Sequence, residues 1–207
     1  VNAENTGSIV TVAGALAVAV SAGGMGAGAS VGVSVAISDI TTVVKALVDS
    51  AVIRTRAGSQ GVTVSASDTA AITAVAVGGA VSVQAGSAGV AIAVGTSVAV
   101  NKVFNTVHAQ IQGGRIETGG AALTVSATQQ ADITSVVLGA SVAVSVGDSA
   151  NAAIGGGGAL ARNVISASVQ AVVSDAVIDT SGAGNTFGAL DVLALGLSQI
   201  CLLYTSD

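Results

Sequence analysis

The chain has 207 residues, of which 28 are glycine, two are phenylalanine, and none is proline or tryptophan. Charged residues make up 8% and hydrophobic residues 51%, and six basic against eleven acidic side chains give a formal net charge of -5. This composition excludes an acidic disordered tail, and the shortage of basic residues excludes a nucleic-acid-binding face. The length suffices for one core, which must be thin because bulky side chains are scarce.

Two long uncharged stretches dominate the first half of the chain, residues 5–38 and 69–101. No signal peptide is readable ahead of them, since the sequence starts at Val1 without a basic segment. Their length would suit transmembrane helices. However, Gly, Thr and Val form helices poorly, no aromatic belt or Lys/Arg bias flanks the stretches, and Asp148 interrupts the third equivalent stretch. We predict two strands joined by a Gly-rich turn and covered on both faces by neighbouring sheet.

One pattern recurs about every 62 residues, which is the strongest signal in the sequence. Residues 35–48 align with 98–111 and 160–173, and an Ile-x-Thr step then follows each segment. The aligned isoleucines and threonines are Ile53 and Thr55, Ile116 and Thr118, and Ile178 and Thr180. A Gly-rich turn comes next, longest from Ser181 to Ala189, before a new apolar alternation leads to Ile72, Ile133 and Ile200. The predicted units are 9–71, 72–132 and 133–200, within a single fragment 1–200.

Within the aligned segments the apolar period is two, as in half-buried strands. Val107, Ala109 and Ile111 alternate with polar neighbours, and β-branched residues dominate. Repeats that cannot bury their own apolar face must stack. We therefore predict an all-β parallel β-solenoid, a right-handed β-helix of about three 62-residue repeats with Ala/Gly-rich layered hairpins. Each unit is either three coils of about 20 residues or one coil plus a hairpin.

The closing stretch, 201–207, holds the only cysteine and the only tyrosine, Cys201 and Tyr204. It looks like a translated sequencing adapter, and the repeat pattern holds to Ile200 and fails at Cys201. We interpret these residues as a non-native tail on a gene fragment.

The run from Gly89 to Asn101, followed by alternating Val107, Ala109 and Ile111 and then Ile-x-Thr, resembles the repeat region of large bacterial filamentous adhesins and leukotoxin-like exoproteins. The resemblance covers nearly all of residues 9–200. It implies a long β-helical stalk, exported to the bacterial surface or medium, with no catalytic residues to transfer.

Two motifs suggest hydrolase chemistry at first sight. Gly28-Ala29-Ser30-Val31-Gly32 matches the nucleophile elbow GxSxG. Its counterparts in the other repeats, Gly95 to Ala99 and Gly157 to Ala161, do not keep the pattern, so the motif occurs in one repeat only. The only histidine, His108, falls on a polar strand face and aligns with Lys45 and Gln170, so we interpret it as a solvated ladder position rather than a catalytic or metal-binding residue.

The remaining candidates also favour structural roles. Glycine clusters at 23–28 and 155–158 lack the spacing of phosphate-binding loops, and the Gly24–Gly28 GxxxG spacing matters only in a membrane helix. Asp148, Asp175 and Asp179 are scattered, whereas a glycosidase needs converging carboxylates. Arg54, Glu117 and Asp179 occupy the same position of the repeat but differ in the sign of their charge, which is typical of solvent-exposed surface residues. Thr55, Thr118 and Thr180 are too sparse for an ice-binding face and are predicted to close turns.

We therefore expect a non-enzymatic structural stalk segment of a secreted or surface-attached bacterial adhesin, without cofactor, metal or nucleic acid. Its partners would be neighbouring repeats and, through other domains, host or surface ligands. The main alternative is a membrane-active or pore-associated β-protein whose uncharged hairpins face lipid. A third is a polysaccharide-active β-helical enzyme. Liposome co-sedimentation would identify the membrane alternative, and a carboxylate-rich flanking sequence would identify the enzyme.

Overall fold

A computed structural model of the chain is all-β, with no helix among the residues it describes, 1–56, 58, 60–182 and 188–206. Long strands alternate with short ones, except that the third long segment is divided into β5 and β6. They are β1 Asn2–Asp49, β2 Val52–Arg54, β3 Val62–Gln112, β4 Arg115–Glu117, β5 Leu123–Val146, β6 Asn151–Ser174, β7 Val177–Asp179 and β8 Leu190–Ser206. The long loop expected between Ser181 and Ala189 lies largely outside the described residues.

All pairing between these strands is parallel. One sheet has the order β1-β3-β5-β8, with β6 also paired to β3, and a small sheet has the order β2-β4-β7. Hydrogen-bonded side chains on adjacent rungs are 61 to 63 residues apart, as in Ser145–Gln84 and Asn5–Asp68. Each repeat unit therefore forms one coil of the stack, which we call a pass. The interpretation as three coils of about 20 residues is wrong.

Residues aligned in the sequence repeat lie beside one another. Val35 pairs with Val98, which pairs with Leu160, and Ile72 lies between Ile9 and Ile133. Ile200 continues the same ladder. Strand β8 runs beyond it through Cys201 to Ser206, paired to residues 134–139 of β5. The non-native origin of this tail stays a prediction.

The long strands fold back on themselves into a flat double layer, which we call the fin. The first arms are residues 2–22, 62–85 and 123–146, and the second arms are 25–49, 89–112 and 151–174. Hydrogen bonds join facing arms, as between the Thr11 and Ser38 hydroxyls at 2.8 Å. Asp148 lies between β5 and β6, at the tip that Gly23 and Gly86 occupy in earlier passes, as predicted.

Side-chain size in the core decreases from the short strands toward the tip. The widest part contains Val107, Ile111, Ile116 and Leu123, and the middle contains Ile72, Val103 and Ile133. Further out, the facing residues are mainly alanines such as Ala36, Ala76 and Ala99. A methyl group on Gly95 would overlap the Ala140 carbonyl oxygen of the opposite sheet. The two sheets therefore approach each other most closely where the sequence supplies only glycine.

The expectation that neighbouring sheet covers both faces of the uncharged hairpins is wrong. Toward the tip, their small residues point inward and their Val, Ile and Leu side chains point outward, so that Val12 and Val18 are 73% and 62% exposed. The physical reason is the close approach of the two arms, which leaves no room for branched side chains between them. Period-two alternation identified the two faces correctly but did not show which one is inside.

Candidate functional site

Ser30 of the GxSxG motif is buried between the two arms, where its hydroxyl donates to the Val81 carbonyl at 2.9 Å. Gly28 pairs with Ala91, Ser30 with Ala93 and Gly32 with Gly95. The expected alignment of this motif with Gly95 to Ala99 is therefore wrong by four residues. Gly32 and Gly95 share a rung because both lie where the facing sheet comes closest. Ser30 is a packing and hydrogen-bonding residue in this site.

His108 lies on the outer side of β3 between Lys45 and Gln170, as the repeat predicted. The described residues contain no cluster of three or more His, Cys, Asp or Glu side chains that could hold a metal ion. Asp148 and Asp175 lie in separate turns, and Asp175 adopts a left-handed backbone conformation with φ of 54°. None of these groups is brought together with His108.

The glycine clusters line the narrow part of the fin. In the first cluster, a methyl group on Gly28 would come within 3.0 Å of the Ser82 hydroxyl oxygen, and one on Gly26 would meet the Ser21 hydroxyl. In the second cluster, a methyl group on Gly155 would come within 3.1 Å of the Ser141 hydroxyl oxygen. These contacts support the predicted close-packing role at these positions.

The short strands carry a ladder of charged side chains. Arg54 Nε lies 2.9 Å from Glu117 Oε2, and Arg115 Nε lies 2.5 Å from Glu117 Oε1. The hydrogen bond from Arg115 lowers the pKa of Glu117, and the same pair raises the pKa of Arg115. On the next rung, hydrogen bonds from the Ser181 side chain and backbone lower the pKa of Asp179. The shared position predicted for Arg54, Glu117 and Asp179 is confirmed, and its first two members form an ion pair.

Two of the recurring threonines use their hydroxyls near the turns. Thr118 Oγ1 donates to the Ala121 carbonyl at 2.5 Å and so closes its own turn, as predicted. Thr55 Oγ1 donates instead to the Thr118 carbonyl at 2.7 Å, which joins one pass to the next. Neither arrangement exposes a regular rank of hydroxyls, because Thr118 is fully buried.

Asp68 is a buried polar residue that the sequence analysis did not identify. Its side chain lies between the arms with 2% exposure. Asn5 Nδ2 donates to one carboxylate oxygen at 2.8 Å, and Asn105 Nδ2 donates to the other. Gln129 is the next residue along the ladder, and both polar atoms of its side chain are buried without a hydrogen-bond partner. The signal was present in the repeat, since Asp68 has the same strand parity as Val64, Ala66 and Ile72.

A second polar layer lies nearer the tip. Asn101 Nδ2 donates to Ser135 Oγ at 2.6 Å and to Asn163 Oδ1 at 2.8 Å. Ser135 Oγ in turn donates to Asn163 Oδ1 at 3.1 Å. Because these bonds connect both facing arms and successive passes, they fix the register of the two sheets relative to each other.

The outer faces of the fin are the most unusual surfaces in the molecule. We call the outer side of the first arms the A face and that of the second arms the B face. Toward the tip both consist of apolar rows that follow the strand register. On the A face they include Val12, Leu16, Val18, Val20, Val77, Val142 and Val144, and on the B face Val31, Val33, Val35, Ile37, Ile92, Ile154 and Leu160. Each of these side chains is at least 38% exposed.

The fold and surface together define a parallel all-β protein of stacked long strands, with structural polar layers inside and apolar faces outside. Comparison with protein-family models, curated proteins and solved structures finds no match. Among the described residues, no helix is long and apolar enough to cross a membrane.

Proposed function

We propose that the chain is a structural segment of a right-handed parallel β-solenoid, built from repeats of about 62 residues, and that it serves as a stalk in a secreted or surface-attached bacterial adhesin. The observation that carries this proposal is the continuous parallel register through β1, β3, β5 and β8. Successive passes are joined by ladders of backbone hydrogen bonds along the stacking direction, and the last ladder covers Leu190 to Ser206. Such a ladder suits a load-bearing rod that holds binding modules at a distance.

The interior supports the same role. The ladder Ile9, Ile72, Ile133 and Ile200 keeps one residue type through successive passes. Outward positions change freely between passes, as at Lys45, His108 and Gln170. Residue identity is thus maintained along this inward isoleucine ladder and varies along the outward ladder of Lys45, as expected for a repeat whose task is stacking.

Single-molecule pulling of the 207-residue chain between its ends tests the mechanical role. We expect discrete unfolding steps, each releasing one pass of 62 residues, or roughly 200 Å of chain at about 3.3–3.6 Å per residue. The control is Ile72→Ala, which removes a core side chain from one rung and should lower the force of at least one step. Extension without force-bearing steps would contradict the proposal.

Sequencing the parent gene on both sides of this segment tests the stalk assignment. We expect further units that keep an apolar residue at the Ile72 position and a polar residue at the Asn101 position, together with an export or anchoring segment. A flanking domain with converging carboxylate, arginine or histidine side chains would instead favour a polysaccharide-active enzyme.

A further inference from the structure

We infer that the A face of one fin packs on the B face of a second copy of this chain, with both copies in the same orientation. This inference rests on the two apolar faces and the charges beside them. It does not depend on the proposed stalk function, since it concerns lateral contact between fins rather than the load carried along the stack.

The extent of the apolar faces is the first observation. Eleven residues per strand, 75–85 on the A face of β3 for example, cover about 36 Å at roughly 3.3 Å per residue, and three strands cover about 14 Å at roughly 4.8 Å spacing. Each face is therefore about 500 Å², near the upper size of apolar patches on monomeric proteins. The molecule presents two such patches on opposite sides.

The two patches fit an open-ended stack better than a closed dimer. A stable interface buries about 800 Å² on each partner, more than one face of this segment provides. Association through both faces places about 1,000 Å² of each inner copy in contact. Two different faces meeting each other form a heterologous contact, which repeats without closing. Each added copy then forms one further contact of about 500 Å² per partner, so the association is weak and depends on protein concentration.

Charge complementarity determines which face meets which. In the described first arms and β8, the charged outward residues are all acidic: Glu4, Asp132 and Asp191. The second arms carry Lys45, Lys102 and Arg162 beside the B face, together with Asp39 and Asp49. Contact between two A faces would bring carboxylates together, whereas contact between A and B faces brings the carboxylates to a face whose three cations outnumber its two carboxylates.

The heights of these charges along the fin also match. Thr11 and Ser38 face each other, so Glu4 and Lys45, each seven residues further from the tip, lie at the same height on opposite faces. Asp68 and Asn105 face each other in the next pass. Lys102 therefore lies level with Ala71, which is the strand neighbour of Asp132. A second fin displaced perpendicular to the faces would place its Lys45 near Glu4 and its Lys102 near Asp132.

A lipid surface is the competing occupant of these faces, and the charge pattern favours it less. Membrane-binding surfaces carry basic residues that attract anionic headgroups and aromatic residues at the interface. The A face is bordered by carboxylates alone, the tip of the third pass carries Asp148, and the sequence contains no tryptophan. A second protein copy matches both faces, because both present apolar rows and the cations beside the B face complement the carboxylates beside the A face.

The test uses two blocked variants of the full chain. The A-blocked variant is Val18→Glu with Val142→Glu, and the B-blocked variant is Val35→Glu with Leu160→Glu; all four positions are more than half exposed. Matched controls place the same charges on exposed polar positions, Thr6→Glu with Gln130→Glu on the A side and Thr41→Glu with Ser166→Glu on the B side. Circular dichroism and urea unfolding establish that each variant keeps the wild-type fold.

Sedimentation velocity over a range of concentrations gives the readout. We expect the wild type and both controls to form a series of oligomers. Each blocked variant alone should lose at least tenfold in association constant, and their equimolar mixture should form dimers and nothing larger. The A–B contact is overturned if the B-blocked variant still dimerises alone, which indicates contact between A faces. It is also overturned if a chain carrying all four substitutions still associates, which indicates contact through strand edges.

Flotation with neutral phosphatidylcholine vesicles distinguishes the lipid alternative. The inference predicts that the wild type stays with the soluble fraction at concentrations where it self-associates. The inference is overturned if the wild type floats with the vesicles, forms no oligomers, and loses flotation in the A-blocked and B-blocked variants. The occupant of the two faces would then be a membrane.

Discussion

Arg54 Nε lies 2.9 Å from Glu117 Oε2, and the two residues are register partners on the adjacent short strands β2 and β4. The neighbouring residues Ile53 and Ile116 are also paired, with Ile116 fully buried. A slip of one residue would turn these isoleucines outward and separate the ion pair. The charge ladder therefore supports the same register as the core beneath it.

Acidification should weaken this ladder. The pKa of Glu117 is lowered from its ordinary value of 4.5 by the hydrogen bond from Arg115. A lowered pKa in the folded state means that the carboxylate stabilises the fold fully above about pH 4.5 and loses this contribution as pH falls through the lowered pKa. Glu117→Gln should reduce the thermal midpoint slightly at pH 7 and low salt, and the difference should decrease as the pH falls below about 4.5.

Thermal unfolding of the wild type and Glu117→Gln across this pH range checks the prediction. Glu4→Gln is the control, because Glu4 is exposed and forms no ion pair within the described part of the chain. An effect of Glu117→Gln that is unchanged at pH 2 or in high salt would show that the substitution acts through packing rather than charge.

Apolar side chains buried inside the fin should contribute far more to the free energy of unfolding than apolar side chains on its outer faces. Ile72 is 1% exposed in the core, whereas Ile37 is 68% exposed on the B face. Ile72→Ala should destabilise the chain by about 2–5 kcal/mol, because it removes buried methyl groups and leaves a cavity. Ile37→Ala should change stability by less than about 0.5 kcal/mol. Urea unfolding at low protein concentration measures both, and equal losses would contradict the assignment of inner and outer faces.

Much of the fold could be predicted from the repeat. Stacking brings equivalent positions together, so the alignment of Val35 with Val98 and of Ile53 with Ile116 anticipated the register directly. The orientation of the Ala/Gly-rich arms could not be obtained in the same way. Both strand faces there are apolar, and the deciding quantity is the distance between the two sheets, which depends on side chains far apart in the sequence.

The polar interior was harder to predict than the surface. Asp68 stands between Ser67 and Thr69, so its immediate neighbours give no sign of burial. Asp68 is buried because it lies on the inward-facing side of its strand. Hydrogen bonds from Asn5 and Asn105, which come from the preceding pass and the facing arm, stabilise its carboxylate there. No local window contains all three residues, and the site is therefore visible only once the passes are stacked.

Loss of the Asp68 carboxylate should therefore destabilise the stack. Asp68→Ala removes the acceptor for both Asn5 Nδ2 and Asn105 Nδ2 and should cost about 1–3 kcal/mol for the buried Asn105 donor and less for the half-buried Asn5 donor. The matched control is Asp132→Ala, which removes an outward-facing carboxylate from β5 and should change stability little. Urea unfolding measures both variants. If Asp68→Ala is as stable as the control, water or a rearranged Gln129 amide must satisfy the two asparagines.

The close approach of the two sheets can be tested with paired glycine substitutions. Gly95→Ala places a methyl group against the Ala140 carbonyl of the facing arm, so the sheets must separate and lose packing among the neighbouring alanines. Gly14→Ala adds the same methyl group on the A face, where no atom lies within 4 Å.

We expect Gly95→Ala to cost about 1–3 kcal/mol by overpacking. Gly14→Ala should be neutral or stabilising by up to about 1 kcal/mol, since alanine restricts the unfolded chain more than glycine. Urea unfolding of both variants gives the comparison, and hydrogen exchange should show the loss of protection centred on the rungs around Gly95. If the two substitutions have equal effects, the sheets are not in contact at the glycine rungs, and the outward orientation of the valine rows loses its physical cause.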